Sequence, residues 1–308
     1  QGAVAQLWSY DGSTLTQVTA PSTFTSAGNA GIVSLASFNG ALYAGTYNNS
    51  GAELWSVTAS GTSSAPNLPG ALSGLWWNPD ESGWGIDFTQ RGSAIFAAWY
   101  TYDAAGNPKW YVASDCAGMT GTSGTCTGTL YQVNGPTFFG TSFTSPTSSQ
   151  ISSVGTLQVT FTDANTASMS YNVGGISRTV PIVRQPVGAG TGTPAVDYTD
   201  LWWNPDESGW GVAMAEQNAN IFLAWYVYDN AGDPVWYVAS NCSVSGGGCS
   251  GTLYSTTGPA FGTSFDPGQV HVTTVGSVTV TFTDANDAVL SYTVNGVSAS
   301  KAITRQVF

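Results

Sequence analysis

The feature that most constrains this chain is a block of residues that it carries twice. Leu75-Trp76-Trp77-Asn78-Pro79-Asp80-Glu81-Ser82-Gly83-Trp84-Gly85 recurs unchanged at 201–211, which puts Trp76 and Trp202 126 positions apart. The same offset carries Trp99 to Trp225, Trp110 to Trp236 and Cys116 to Cys242. It narrows to 123 between Cys126 and Cys249, and settles at 121 for Phe161/Phe282 and Arg184/Arg305. A repeat of this length is one structural unit used twice, so the fold has to be solved for a single copy. The chain divides into an N-terminal unit over 1–60, a linker over 61–69, repeat one over 70–186, a linker over 187–197 and repeat two over 198–308. Both linkers are read from their Gly, Ser, Thr and Pro content.

Within each copy the hydrophobic pattern has period two, and helical periodicity is nearly absent. Leu157, Val159 and Phe161 alternate with Thr156, Gln158 and Thr160, while Met169, Tyr171 and Val173 alternate with Ser168, Ser170 and Asn172. Turn chemistry separates such runs, at Asp103 with Gly106 and Pro108, at Asp163 with Asn165, and at Gly174-Gly175. Eight strands are predicted per repeat, starting near Leu75, Trp84, Ala94, Lys109, Thr127, Thr156, Ala167 and Ile176. Hairpin-length links join them, apart from a longer stretch around 136–153. Eight short antiparallel strands in a meander close most economically into an up-and-down barrel, which leaves no unpaired edge. A two-sheet sandwich is the competing arrangement. The fold class expected is all-β, with two tandem eight-stranded antiparallel barrels after an N-terminal β unit.

Charge then removes whole classes of partner. Only 8% of the residues are charged, with 6 Lys+Arg against 18 Asp+Glu and a net charge of −12. Nucleic acid phosphates and anionic membrane surfaces both require clustered cations, so neither is expected as a partner. No apolar run reaches the roughly 18 to 20 residues that cross a bilayer as a helix, so no membrane insertion is expected. The four cysteines fall as two close pairs, Cys116 with Cys126 and Cys242 with Cys249, in Gly/Ser/Thr-rich stretches. Zinc-type spacing is missing. Two local disulfides clamping long hairpins are expected, in a compartment outside the reducing cytosol. A start at Gln1, with neither Met nor a charged-then-apolar leader, fits a processed export product or a piece trimmed from a longer chain. The expected location is extracellular or at the cell surface.

Three resemblances bear on the parts. Gly74-Leu75-Trp76 opens repeat one and Arg184 closes its last predicted strand. This resembles the lipocalin and avidin (calycin) arrangement, in which an early Trp packs beneath an Arg of the final strand and plugs one barrel end. The resemblance implies plugs Trp76–Arg184 and Trp202–Arg305, although Asp200 replaces the glycine in repeat two. An inward arginine needs a Trp face or a carboxylate as partner, and Glu81 and Glu207 are the carboxylates expected to complete the plugs. The whole repeat, from the duplicated block to Ile303-Thr304-Arg305-Gln306-Val307-Phe308, also resembles C-terminal modules of exported proteobacterial proteins. That family has no assigned activity, and the resemblance implies export. Residues 5–57 resemble one four-stranded blade of a kelch-like β-propeller, on Leu7-Trp8-Ser9-Tyr10-Asp11-Gly12, Phe38-Asn39-Gly40, Leu42-Tyr43-Ala44-Gly45-Thr46 and Glu53-Leu54-Trp55. A lone blade buries too little to stand by itself. Cover is expected from barrel one or from another copy of the chain.

Chemistry is sparse. His271 is the only histidine, Gln150 stands at its place in repeat one, and the reading is structural. Nucleophile-elbow, phosphate-loop, dinucleotide and HExxH motifs are missing. Asp80 and Glu81 are adjacent and cannot flank a glycosidic bond by themselves. Pairing of Glu81 with Asp103 or Asp87 stays open, beside the preferred reading of Asn78-Pro79-Asp80 as a turn. The Asp103-x-x-Gly106 and Asp229-x-x-Gly232 turns hold too few acids for a calcium loop. The expectation is no catalytic residue, no metal, no cofactor and no enzyme.

What remains is aromatic: 12 Trp, 14 Tyr and 13 Phe. Segments 95–102 and 221–228, with Trp110-Tyr111-Val112 and Trp236-Tyr237-Val238, are apolar on both faces and must be covered on both sides. One face fills a barrel; the other packs on a neighbouring domain or meets a ligand or another subunit. The contact candidates are Trp84, Trp99, Tyr102, Trp110, Trp210, Trp225, Tyr228 and Trp236. Two functions follow. The first is a secreted, non-enzymatic structural protein that associates with itself, as a fibre or adhesive subunit of a surface. The alternative is a binding module, either a calycin-like carrier of an apolar small molecule or an aromatic platform for carbohydrate.

Overall fold

The computed structural model describes the strand backbones within 8–57, and residues 70–306 except 120, 140, 141, 189–195 and 263. The chain divides into two compact units, Gln1–Asn67 and Leu68–Phe308. In the first, β1 (Trp8–Tyr10) pairs with β2 (Leu15–Gln17), and β3 (Gly31–Phe38), β4 (Ala41–Asn48) and β5 (Gly51–Val57) form a separate three-stranded antiparallel sheet. The side chains of this unit, and with them the expected blade packing and its cover, lie outside the described residues.

The second unit is two closed eight-stranded antiparallel barrels. Barrel one runs β6 (Gly74–Trp77), β7 (Gly85–Arg91), β8 (Ala94–Tyr102), β9 (Pro108–Ala117), β10 (Gly124–Val133), β11 (Ile151–Phe161), β12 (Thr166–Val173) and β13 (Ile176–Arg184). It closes where β13 pairs with β6, Val183 opposite Trp77 and Arg184 opposite Trp76. Barrel two repeats the order with β14 (Asp200–Trp203), β15 (Gly211–Gln217), β16 (Asn220–Tyr228), β17 (Pro234–Ser245), β18 (Gly248–Thr257), β19 (His271–Phe282), β20 (Asp287–Val294) and β21 (Val297–Arg305). It closes through Trp202 opposite Arg305. The barrel, not the sandwich, is the arrangement adopted.

The alternation produces the strands as expected. Leu157, Val159 and Phe161 are buried while Thr156, Gln158 and Thr160 face water. Gly174 and Gly175 both have positive φ, 57° and 86°, as the two-residue β12–β13 hairpin demands. Asn295 and Gly296 do the same in barrel two, at 49° and 84°. A side chain at Gly155 would collide with the carbonyl oxygen of Asn172, so the strand bends there only because the residue is glycine. The disulfides Cys116–Cys126 and Cys242–Cys249 tie β9 to β10 and β17 to β18.

The doubly apolar strands find their second cover in each other. β6 lies against β15 and β9 against β17, and the buried residues of both barrels form one continuous core. The contact obeys an approximate twofold. Trp110 Nε1 donates to the Val227 carbonyl at 3.0 Å, and Trp236 Nε1 donates to the Thr101 carbonyl at 3.0 Å. Trp236 packs on Tyr100 and Tyr102, with centroids 5.1 and 5.6 Å apart. Trp110 packs on Tyr226 and Tyr228 at 6.2 and 5.5 Å. At the periphery Gly135 N donates to Gly232 O and Gly258 N to Gly106 O. The sequence draws the two repeats as units joined by a linker; physically they share one interior.

Removing either interfacial tryptophan should therefore be felt in both barrels. We expect Trp110→Ala and Trp236→Ala each to cost about 3–5 kcal/mol in equilibrium denaturation. The second unit should lose its single cooperative transition. Trp110→Phe, which keeps an aromatic ring but loses the indole N–H and part of the buried area, should cost less, about 1–3 kcal/mol.

Candidate functional site

Three places gather the residues that carry chemistry: the closed end of each barrel, its mouth, and the seam between barrels.

At the closed ends, Arg184 lies over the Trp76 ring at 5.1 Å and Arg305 over Trp202 at 5.0 Å. The indoles are held in turn, Trp76 Nε1 by Leu72 O at 3.0 Å and Trp202 Nε1 by Tyr198 O at 3.1 Å. Arg184 donates to the carbonyls of Ala164, Ser73 and Ala71. Arg305 donates to those of Ala285, Thr199 and Asp197, and to Asp200 Oδ2 at 2.9 Å.

The expected carboxylates are absent from these plugs. Glu81 pairs with Arg178, and Glu207 with Lys301 at 2.7 Å, at the opposite end of each barrel. The reason is reach. Arg178 and Arg184 are six residues apart on β13, roughly 20 Å at 3.3–3.4 Å per residue, and Glu81 sits at the Arg178 end. Backbone carbonyls supply what Arg184 lacks.

The duplicated block turns out to be the lock of the mouth rim. Asn78 accepts from Asp80 N at 3.1 Å and starts a 3-10 turn, Pro79–Glu81. The turn delivers Glu81 to the Trp84 indole at 3.1 Å and to Arg178. Glu207 takes the Trp210 indole at 3.2 Å in the same way. Tyr102 and Tyr228 donate to the carbonyls of Gly83 and Gly209, both at 2.6 Å.

Each mouth is closed by a loop from the other barrel. The loop after β10 sends Phe138 and Phe139 into barrel two, where Phe138 meets Trp210 at 5.1 Å and Trp225 at 5.5 Å. Phe139 lies 5.7 to 5.9 Å from Trp225, Tyr237 and Tyr292. The loop after β18 sends Phe261 into barrel one, 5.4 Å from Trp99 and 6.0 Å from Tyr111 and Tyr171. Behind them Phe143 stacks on Tyr228 and Phe265 on Tyr102.

All eight aromatic candidates are consequently buried, none more than 6% exposed. Their rings are packed inside the chain and are not presented to solvent. Trp99 and Trp225 line the interiors, Trp84 and Trp210 the rims, and Trp110, Trp236, Tyr102 and Tyr228 the seam. The loops that close the mouths were not singled out in the sequence, because they have no strand periodicity. Their signal is a second repetition, Gly135-Pro136-Thr137-Phe138-Phe139-Gly140-Thr141-Ser142-Phe143 against Gly258-Pro259-Ala260-Phe261-Gly262-Thr263-Ser264-Phe265, one phenylalanine shorter.

The seam holds buried charge. Arg91 reaches across to Asp200 at 2.8 Å and to the Gln306 carbonyl at 3.0 Å, so Asp200 receives Arg91 and Arg305 together. Asp200 stands where repeat one has Gly74, so this cluster has no counterpart across the twofold. Asp87 is 1% exposed and accepts from Thr89 Oγ1 at 3.3 Å. Burial, reinforced by the charge of Asp200, pushes its carboxyl well above the ordinary value, with Thr89 and Arg184 opposing. Burial also raises Asp200, against the pull of Arg91 and Arg305.

Elsewhere Asp103 is spent on a turn, accepting from the backbones of Ala105 and Asn107. His271 is exposed at the start of β19. Among the described residues no three His, Cys, Asp or Glu gather as a metal site. Comparison with protein-family models, curated proteins and solved structures finds no match to this chain.

Asp87 generates a pH test. Its folded carboxyl titrates above its unfolded one, so the stability it contributes is complete below the ordinary value of 3.8 and is lost as pH rises through the folded value. Asp87→Asn removes that loss. We expect the melting temperature of the variant to exceed that of the parent at pH 8, with the gap closing toward pH 4.

Proposed function

We propose that this chain is a non-enzymatic structural protein of the extracellular space or cell surface that associates with itself through uncharged β faces. The observation carrying the reading is the reciprocal closure of the barrels. Each mouth is spent on the sister barrel, and β10–β13 and β18–β21 are left to face outward.

Those outward faces are paved with hydroxyls. Thr125 pairs with Thr160 at 3.0 Å and Ser170 with Thr179 at 2.8 Å. Ser250 pairs with Thr279 at 2.9 Å and Ser291 with Ser300 at 2.8 Å. Strands β11 and β12 contain no charged residue, and the two arginines of β13 are engaged by Glu81 and by backbone carbonyls. Such a face offers little repulsion to an identical one. Ile151 and Ile176 are exposed in repeat one, and Val272 and Val297 are exposed at the equivalent positions of repeat two. Two disulfides suit an oxidising location.

A carrier of apolar cargo is disfavoured, because such sites enclose about 300–1,000 Å³ and these interiors hold packed rings. A carbohydrate platform is disfavoured because its candidate rings are buried.

Size-exclusion chromatography with light scattering, joined to electron microscopy, tests the proposal on the full chain. We expect oligomers or filaments whose fraction grows with concentration and survives high salt, since charge does not hold them. A strict monomer up to the solubility limit would overturn the reading.

A further inference from the structure

Closure of the barrels leaves part of one strand in each without a second neighbour. In barrel one β11 pairs with β10 from Phe161 down to Ile151. Its pairing with β12 begins only at Gly155, opposite Val173. Residues 151–153 therefore have a strand on one side and no described strand on the other. Barrel two repeats this, since β19 pairs with β18 from Thr281 to His271 but with β20 only from Gly276 onward. A bulge accompanies the divergence in both, where the register slips at Leu130/Tyr131 and at Leu253/Tyr254.

The direction of the open backbone groups follows from one bond. Asn134 N donates to Gln150 O at 2.9 Å, which fixes residues 150 and 152 as those turned toward β10. With a period of two, the N–H and C=O groups of Ile151 and Ser153 point to the open side. The equivalent positions in barrel two are Val272 and Thr274. The edge ends just beyond, where Gly174 N donates to Val154 O at 3.3 Å and Asn295 N to Val275 O at 2.8 Å.

The side chains beside these edges differ from the rest of the surface. Among the described residues the exposed large apolar side chains are Ile151, Ile176, Val272 and Val297. Ile151 and Val272 stand on the open edges, and Ile176 and Val297 on the hairpins that those last two bonds hold next to them. Of the devices that guard an open edge, 150–155 and 270–276 have the bulge but no lysine, carboxylate or proline. Val270-His271-Val272-Thr273-Thr274-Val275 is β-branched at all but one position and carries no formal charge. That is the composition of segments that pair with copies of themselves.

We propose that the open edges of β11 and β19 are strand-addition sites, each taking the same edge of a second copy of the chain in antiparallel pairing. This pairing rests on the self-association read above and gives it a place. Val272 then lies opposite Thr274 of the second copy, and Thr274 opposite Val272 of the second copy, so each outward N–H meets a carbonyl. Ile151 and Ser153 match in the same way. A second copy is the fitting occupant because outward groups two residues apart complement themselves about a twofold. The contact also draws exposed isoleucine and valine side chains of two copies out of water. With one edge on each barrel, every chain makes two contacts, and copies continue past a pair into a filament.

Sedimentation velocity over a concentration series, joined to amide hydrogen exchange, tests this on the full chain. We expect assemblies that grow with concentration, and exchange at 151, 153, 272 and 274 slowed about tenfold or more on assembly. Ser153→Pro and Thr274→Pro each remove an outward N–H and no bond to β10 or β18. Each single variant should stop at the dimer, and the double variant at the monomer. If a proline variant unfolds, Ile151→Lys and Val272→Lys, at exposed side chains, should give the same arrest. Full-size assemblies in the double variant overturn the edge pairing and leave association through the hydroxyl faces standing. So do edge amides that exchange equally fast in dilute and assembled protein. Edge amides already protected in a dilute monomer mean that the chain covers its own edges, which also overturns the pairing. A parent that stays strictly monomeric removes both the pairing and the self-association beneath it.

Discussion

The structure depends on an exchange: each barrel completes the other. Trp110 Nε1 is satisfied by Val227 O and Trp236 Nε1 by Thr101 O, so each repeat supplies the acceptor that the other's buried indole requires. A buried N–H without a partner costs about 1–3 kcal/mol, and a tryptophan left against water forfeits comparable apolar burial. Neither barrel can therefore present β8 and β9, or β16 and β17, to solvent. The two repeats bury these faces against each other as the protomers of a dimer would.

The exchange extends to the mouths, where it changes what the fold can be used for. An eight-stranded barrel has an interior just wide enough for side chains or for one small ligand. Here Phe138, Phe139 and Phe261 settle the choice in favour of side chains. The duplicated block serves the same end, since Glu81 and Glu207 fasten Trp84 and Trp210 at the rim on which the loops close. The block is identical in the two repeats and forms the same rim in both barrels. Where the loops differ, by one phenylalanine, the two mouths differ as well.

The twofold is broken a second time at the seam. Asp200 in place of Gly74 brings a buried acid to Arg305 and draws Arg91 across from repeat one. Buried ion pairs are poor sources of net stability, but removing one partner is costly. Their effect is on register: Arg91 and Asp200 come from different barrels and allow one relative placement. Asp87, with Thr89 as its hydrogen-bond donor, sits beside this cluster at a cost that grows with pH.

The sequence by itself determined everything that obeys a local period. The alternation of Leu157, Val159 and Phe161 with threonine and glutamine, the Gly174-Gly175 hairpin and the cysteine spacings are short-range constraints, and they led to eight strands, closed barrels and two disulfides. The Trp76–Arg184 and Trp202–Arg305 stacks were legible through the resemblance to calycin barrels, and the structure sets those residues opposite each other where each barrel closes. Only the tertiary structure decided who covers whom. A doubly apolar strand states that cover exists without naming it, and the sister repeat, a ligand and a second copy offer the same hydrophobic gain. The structure gives Glu81 to a different arginine for the same reason, since charge carries no address between two arginines roughly 20 Å apart along one strand. The plugging loops stayed hidden because a loop's partner is set by where it lands after the sheets have closed, and no periodicity records that.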